Sequence, residues 1–143
     1  MDERALQQQI QEFTRRFGLL NQDGTPCQYP ISPSQAHALQ VLGTQEKTPQ
    51  SLLAQQLNLE KSTISRLITQ LVEREWVQRT INAENRREVN LTLTDAGKVV
   101  LDDLLMAGAA KYHRLWTRLP QDKKSQIIEA LALLNKALLA DQE

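Results

Sequence analysis

The sequence predicts a mainly α-helical fold with one small β-hairpin, and three observations carry that expectation. Apolar residues recur at helical spacing over most of the chain. The period shortens to two only around residues 76–79 and 89–93. The 143 residues contain only five Gly and five Pro, too few for a strand-and-turn protein. A hydrophobic fraction of 41% supports a packed core without disulfides, and with aromatics at 4% that core is aliphatic.

The first element is a helix whose stripe is Leu6, Ile10, Phe13, Phe17 and Leu20, interrupted by Gly18 near its end. The turn-formers Asn21-Gln22-Asp23-Gly24-Thr25-Pro26 then break the chain, and a loop runs through Cys27 to Pro30. Ser32-Pro33-Ser34-Gln35 restarts it: Ser32 is placed to cap, Pro33 suits the first helical position, and Gln35 completes a capping box. Ala36, Leu39 and Leu42 form the inner face, and Gly43 closes the helix. Thr48-Pro49 repeats the cap-then-Pro pattern, which predicts Thr48 as the cap of a short helix ending near Leu57. After the tight connection Asn58-Leu59-Glu60 comes a helix from Lys61 to about Glu75, with Ile64, Leu67, Ile68, Leu71 and Val72 inward.

Trp76-Val77-Gln78-Arg79 and Val89-Asn90-Leu91-Thr92-Leu93 alternate as strands around the polar loop Asn82–Arg87. Thr94 caps a long helix carrying Val100, Leu101, Leu104, Leu105, Ala109, Tyr112, Leu115, Trp116 and Leu119, which Pro120 ends. The last helix carries Ile127, Ile128, Leu131, Leu134 and Leu138. The expected division is 1–47 (N-terminal helices leading into the central lobe), 48–98 (the central lobe) and 99–143 (C-terminal helices).

The segment Thr48–Arg74 has the form of a helix-turn-helix, in which the first helix braces and the second presents its N-terminal half to a groove. The second helix shows Lys61, Ser62, Ser65, Arg66, Thr69 and Gln70 outward, with no acid before Glu73. These types suit duplex DNA. Arg donates twice to guanine, Gln pairs with adenine, Ser and Thr bond bases or phosphates, and Lys neutralises phosphate. Ser and Thr are poor helix fillers, so their presence needs a reason beyond solvation. Net charge is zero, with 17 basic and 17 acidic residues, so composition by itself points to no nucleic acid. From Lys61 to Arg87, however, six basic residues (Lys61, Arg66, Arg74, Arg79, Arg86, Arg87) face three acidic ones (Glu73, Glu75, Glu84). Arg86 and Arg87 at the hairpin tip suit the minor groove, where the potential is most negative. Helix, turn, helix and basic-tipped hairpin in this order predict a winged helix-turn-helix lobe. With the terminal helices, too apolar to stand alone, the fold class is a winged helix-turn-helix DNA-binding lobe plus a helical dimerisation lobe.

The sequence resembles the MarR family of regulators over nearly its whole length. Asn85-Arg86-Arg87, then Val89 and Leu91-Thr92-Leu93-Thr94-Asp95-Ala96-Gly97, is similar to the family's Asp-x-Arg wing with its Leu-Thr-x-x-Gly end. Ser34-Gln35-Ala36-His37-Ala38-Leu39 resembles its second helix, Ser62-Thr63-Ile64-Ser65-Arg66-Leu67 its recognition helix, and Glu73-Arg74-Glu75-Trp76-Val77-Gln78-Arg79 its entry to the wing. Asn85 replaces the family's Asp, so an Asp–Arg ion pair becomes a neutral hydrogen bond. Glu75-Trp76 replaces a usual Gly, which implies a different turn. The resemblance implies a homodimer astride a pseudo-palindromic double-stranded DNA operator. It also implies repression relieved by a small-molecule effector. The expected DNA-binding residues are Lys61, Ser62, Thr63, Ser65, Arg66, Thr69, Gln70, Arg86 and Arg87, and the expected effector pocket is Phe13, Phe17, His37, Tyr112 and Trp116.

Other classes have less behind them. No phosphate loop, nucleophile elbow or carboxylate pair at useful spacing appears, so no enzyme is expected. The single Cys27, flanked by Pro26 and Gln28, has no basic neighbour to lower its pKa, and with only two histidines no metal or other cofactor is expected. The alternatives are a redox- or metal-sensing regulator using Cys27, and a degenerate winged helix that binds protein. His37 is expected to be partly buried near the junction of the lobes. No apolar run is long enough to span a membrane, and Asp2, Glu3 and Arg4 do not resemble a secretory leader, so a cytoplasmic, membrane-free location is expected.

Overall fold

The computed structural model describes residues 2–19 and 30–142, which leaves Cys27, Leu20 and the expected turn at 21–26 outside the described residues. The order is α1 (Glu3–Phe17), α2 (Pro33–Leu42), β1 (Thr48–Pro49), α3 (Gln50–Leu57), α4 (Lys61–Glu73), β2 (Val77–Ile81), β3 (Val89–Leu93) and α5 (Asp95–Arg118). A 3₁₀ turn at Gln121–Lys123 then leads into α6 (Lys124–Asp141).

Local chemistry sets most of the boundaries. Gly18 ends α1 in the left-handed region at φ 90°. The Ser32–Gln35 capping box is formed in both directions: Gln35 N donates to Ser32 Oγ at 3.1 Å, and Ser32 N donates to Gln35 Oε1 at 3.2 Å. Thr94 Oγ1 accepts from Gly97 N at 3.0 Å and donates to the Glu75 carbonyl at 2.6 Å, so one hydroxyl caps α5 and ties it to the start of the wing. Gly97 is required there, because a β-carbon would overlap the Trp76 carbonyl.

Two expectations need correction. Thr48 is not a helix cap. It pairs with Leu91 in a third strand that the alternation of the sequence did not reveal, making an antiparallel sheet of order β1-β3-β2. α3 instead begins at Gln50, with Pro49 at its cap position and no side-chain capping bond. Nor does Glu75 adopt a different turn. At φ 63° it takes the left-handed position a glycine would fill, with Glu75 N donating to Val72 O (2.9 Å) and Trp76 N to Leu71 O (3.1 Å). This is a Schellman ending with a side chain where none is preferred. Glu75→Gly should therefore stabilise the fold, by about 0.5–1 kcal/mol after the extra unfolded-state entropy is subtracted. Chemical denaturation would read this as a raised midpoint at constant slope.

The core joins α2 to α5 and the sheet. Leu39, Leu42, Leu53, Ile64, Ile68, Leu71 and Leu91 are each at most 1% exposed, with Val77, Val100 and Leu104 beside them. Only the first part of α5 reaches this core. Further along, Leu105, Tyr112, Leu115 and Trp116 are exposed, and α1 and α6 contain no buried residue. The apolar stripes read from the sequence are present there but stay largely uncovered among the described residues. Contiguous exposed apolar surface of this kind marks a protein interface or a ligand groove.

Candidate DNA-reading face and apolar groove

α4 presents two opposed faces. Ile64, Leu67, Ile68 and Leu71 are buried, while Lys61, Ser62, Ser65, Arg66, Thr69 and Gln70 are exposed, with Thr63 half-buried at the margin. Glu60 stands at its N-cap position, no acid lies in its first turn, and no side chain caps the opening amide groups. The turn into α4 is tight because Asn58 takes the left-handed conformation at φ 53°.

The wing is ordered without the acid expected at its tip. Asn82 Oδ1 accepts from Glu84 N (2.9 Å) and Asn85 Oδ1 from Arg87 N (3.2 Å), two side-chain turns that fix successive backbone segments. Asn82 Nδ2 also donates to Glu88 Oε2 at 3.2 Å. Asn85 thus makes the neutral bond expected of it, but to the backbone of Arg87, and both arginine side chains stay exposed. Arg87 and Lys61 line one cleft of about 500 Å³ with Gln50, Ser51 and Asn85, so the wing and the start of α4 act on a common surface.

Thr69 and Gln70 carry partners within the chain. Thr69 Oγ1 donates to Ser65 O (2.9 Å) and accepts from Arg79 Nη2 (2.7 Å), and Gln70 Oε1 accepts from Gln35 Nε2 (2.8 Å). Arg79, which was not among the DNA-binding residues expected from the sequence, thereby joins this face from β2. Its alternation on the strand was the available signal. Arg74 donates to Pro30 O at 2.7 Å and lies 4.7 Å over the Trp76 ring, which pins the end of α4.

A second concavity, about 770 Å³, lies among α1, α5 and α6. It contains four of the expected pocket residues, Phe13, Phe17, Tyr112 and Trp116, with His113 in addition. Phe13 stacks on Phe17 at 5.3 Å, and Lys111 Nζ sits 4.2 Å over Phe17 while donating to its carbonyl at 3.0 Å. His37 is a correction. It is exposed on α2 and does not line the groove, because Gln35, Ala36, Ala38 and Leu39 take the buried arc on either side of it. Among the described residues no three His, Cys, Asp or Glu side chains gather as for a metal, and no helix is long and apolar enough to cross a membrane.

A helix-turn-helix followed by a basic-tipped hairpin, on a three-stranded sheet, defines a winged helix-turn-helix protein. Residues 31–89, the heart of this lobe, match the model of the MarR family. It is similar to the HTH-type transcriptional repressor MdtR of Bacillus subtilis, 24% identical over 79% of this chain and 73% of that protein. The crystal structure of Streptococcus pneumoniae FabT in complex with DNA superposes with a TM-score of 0.75 at 16% identity, over 99% of this chain and 100% of that one. The PcaV regulator of Streptomyces coelicolor, solved with its natural ligand, gives 0.67 at 19% identity over 94% and 89%.

Proposed function

We propose that this chain is a sequence-specific transcriptional regulator without enzymatic activity, acting in the cytoplasm as a homodimer on a pseudo-palindromic operator. One observation carries the reading: Lys61, which begins the acid-free outer face of α4, lines the same cleft as the wing's Arg87. Ser62, Ser65 and Arg66 enter the major groove, Lys61 meets phosphate, and Arg86 and Arg87 enter the adjacent minor groove. Residues 48–98 are the reading lobe, while 1–47 and 99–143 supply the helices that pair two copies and lead into it. Half-sites then lie about one helical turn, roughly 34 Å, apart.

The regulator acts as a repressor, the role borne by the name of its relative MdtR. The groove holding Phe13, Phe17, Tyr112 and Trp116 takes an apolar, aromatic effector that releases DNA, as its aromatic lining favours. A mobility-shift titration with DNA upstream of the chain's own gene tests the reading. Arg87→Ala should weaken binding about equally on all sequences and reduce the slope of log K against log salt by about one per subunit.

A further inference from the structure

Gln70 stands one turn beyond Arg66 on the exposed face of α4, and its residue type alone suggests adenine, which needs both the oxygen and the nitrogen of the amide. The hydrogen bonds behind it remove that choice. The Ser32 backbone N–H can only donate, so the Gln35 atom that receives it at 3.2 Å is Oε1. Gln35 Nε2 is therefore the atom turned to α4, and it donates at 2.8 Å to Gln70 Oε1. Gln35 is 8% exposed, so this relay runs inside the lobe. Gln70 is left with its two Nε2 protons outward and no partner for them among the described residues. The orientation of the amide follows from a backbone group two links away.

We propose that Gln70 is a specificity-determining residue held by Gln35 as a hydrogen-bond donor, which selects a keto-bearing base edge, guanine O6 or thymine O4, over the amino-bearing edges of adenine and cytosine. Gln35 is a positioning residue, remote from DNA. The inference rests on α4 lying in the major groove as proposed above.

Gln35→Glu tests it directly. Glutamate retains the capping box, since its carboxylate still accepts from Ser32 N, but offers Gln70 only acceptors. Gln70 then turns its nitrogen inward and its oxygen toward DNA. Duplexes selected from a randomised library by the wild-type chain should show one position in each half-site enriched for guanine or thymine by about tenfold. Gln35→Glu should move that position toward adenine or cytosine, and Gln70→Ala should flatten it. Gln70→Glu satisfies Gln35 with an outward acceptor and should shift the position the same way, which keeps the test decisive if a thermal melt shows Gln35→Glu unfolded. Retention of the keto preference in both glutamate variants overturns the inference. So does a Gln70→Ala chain weakened evenly across the library, the mark of a phosphate contact. A folded wild-type dimer that selects no sequence overturns the proposed function along with it.

Discussion

Arg66→Ala is expected to weaken sequence-specific DNA binding sharply while leaving the fold and the dimer intact. Arg66 is exposed on the first half of α4 and has neither an ion pair nor a hydrogen bond within the chain among the described residues, so nothing structural depends on its guanidinium. A bidentate contact to guanine is worth about 1–3 kcal/mol of discrimination, and a symmetric dimer makes it twice. The operator should lose roughly thirtyfold or more in affinity, while binding to random duplex changes only by the missing charge. Anisotropy titrations against operator and scrambled duplex, with a melting curve beside them, separate the two effects. Equal losses on both duplexes would make Arg66 a phosphate contact.

The second large effect is expected from the helices that do not touch DNA. Ile128 and Leu131 of α6 are 55% and 45% exposed and line the groove among α1, α5 and α6. Ile128→Asp with Leu131→Asp places two unpaired carboxylates on α6, one of the helices proposed to pair two copies, and burying each such charge costs several kcal/mol. The double variant should sediment as a monomer and lose most operator affinity, since one reading lobe then binds without its twin. The hydrophobic core of the winged lobe lies elsewhere, so its helical signal should persist. A double variant that remains dimeric would place the partner on a different face.

How much of this was legible in the sequence follows from the range of the interactions. The Ser32–Gln35 box and the Thr94 cap are contacts within three residues, and both were readable. Thr48 was misread because a cap-then-Pro pair looks the same whether or not a strand more than forty residues later pairs with it. Glu75 hid a glycine-type turn, since residue type speaks against the conformation that the chain imposes there. His37 was assigned to the pocket by fold resemblance, but the buried arc of α2 turns it to solvent. The outward face of α4 was visible from spacing alone. That Thr69 and Gln70 are engaged from behind, by β2 and α2, was not, because those partners come from elsewhere in the fold.

The central claim is that two copies read an inverted repeat, and one measurement addresses it most directly. The purified chain, at a concentration where sedimentation shows its oligomeric state, is used to select duplexes from a random library at low salt, and the enriched sequences are retitrated. The account predicts one dimer per duplex and an inverted repeat whose half-sites are centred about one helical turn apart. A folded dimer that enriches no sequence, or that binds every duplex alike, would contradict it.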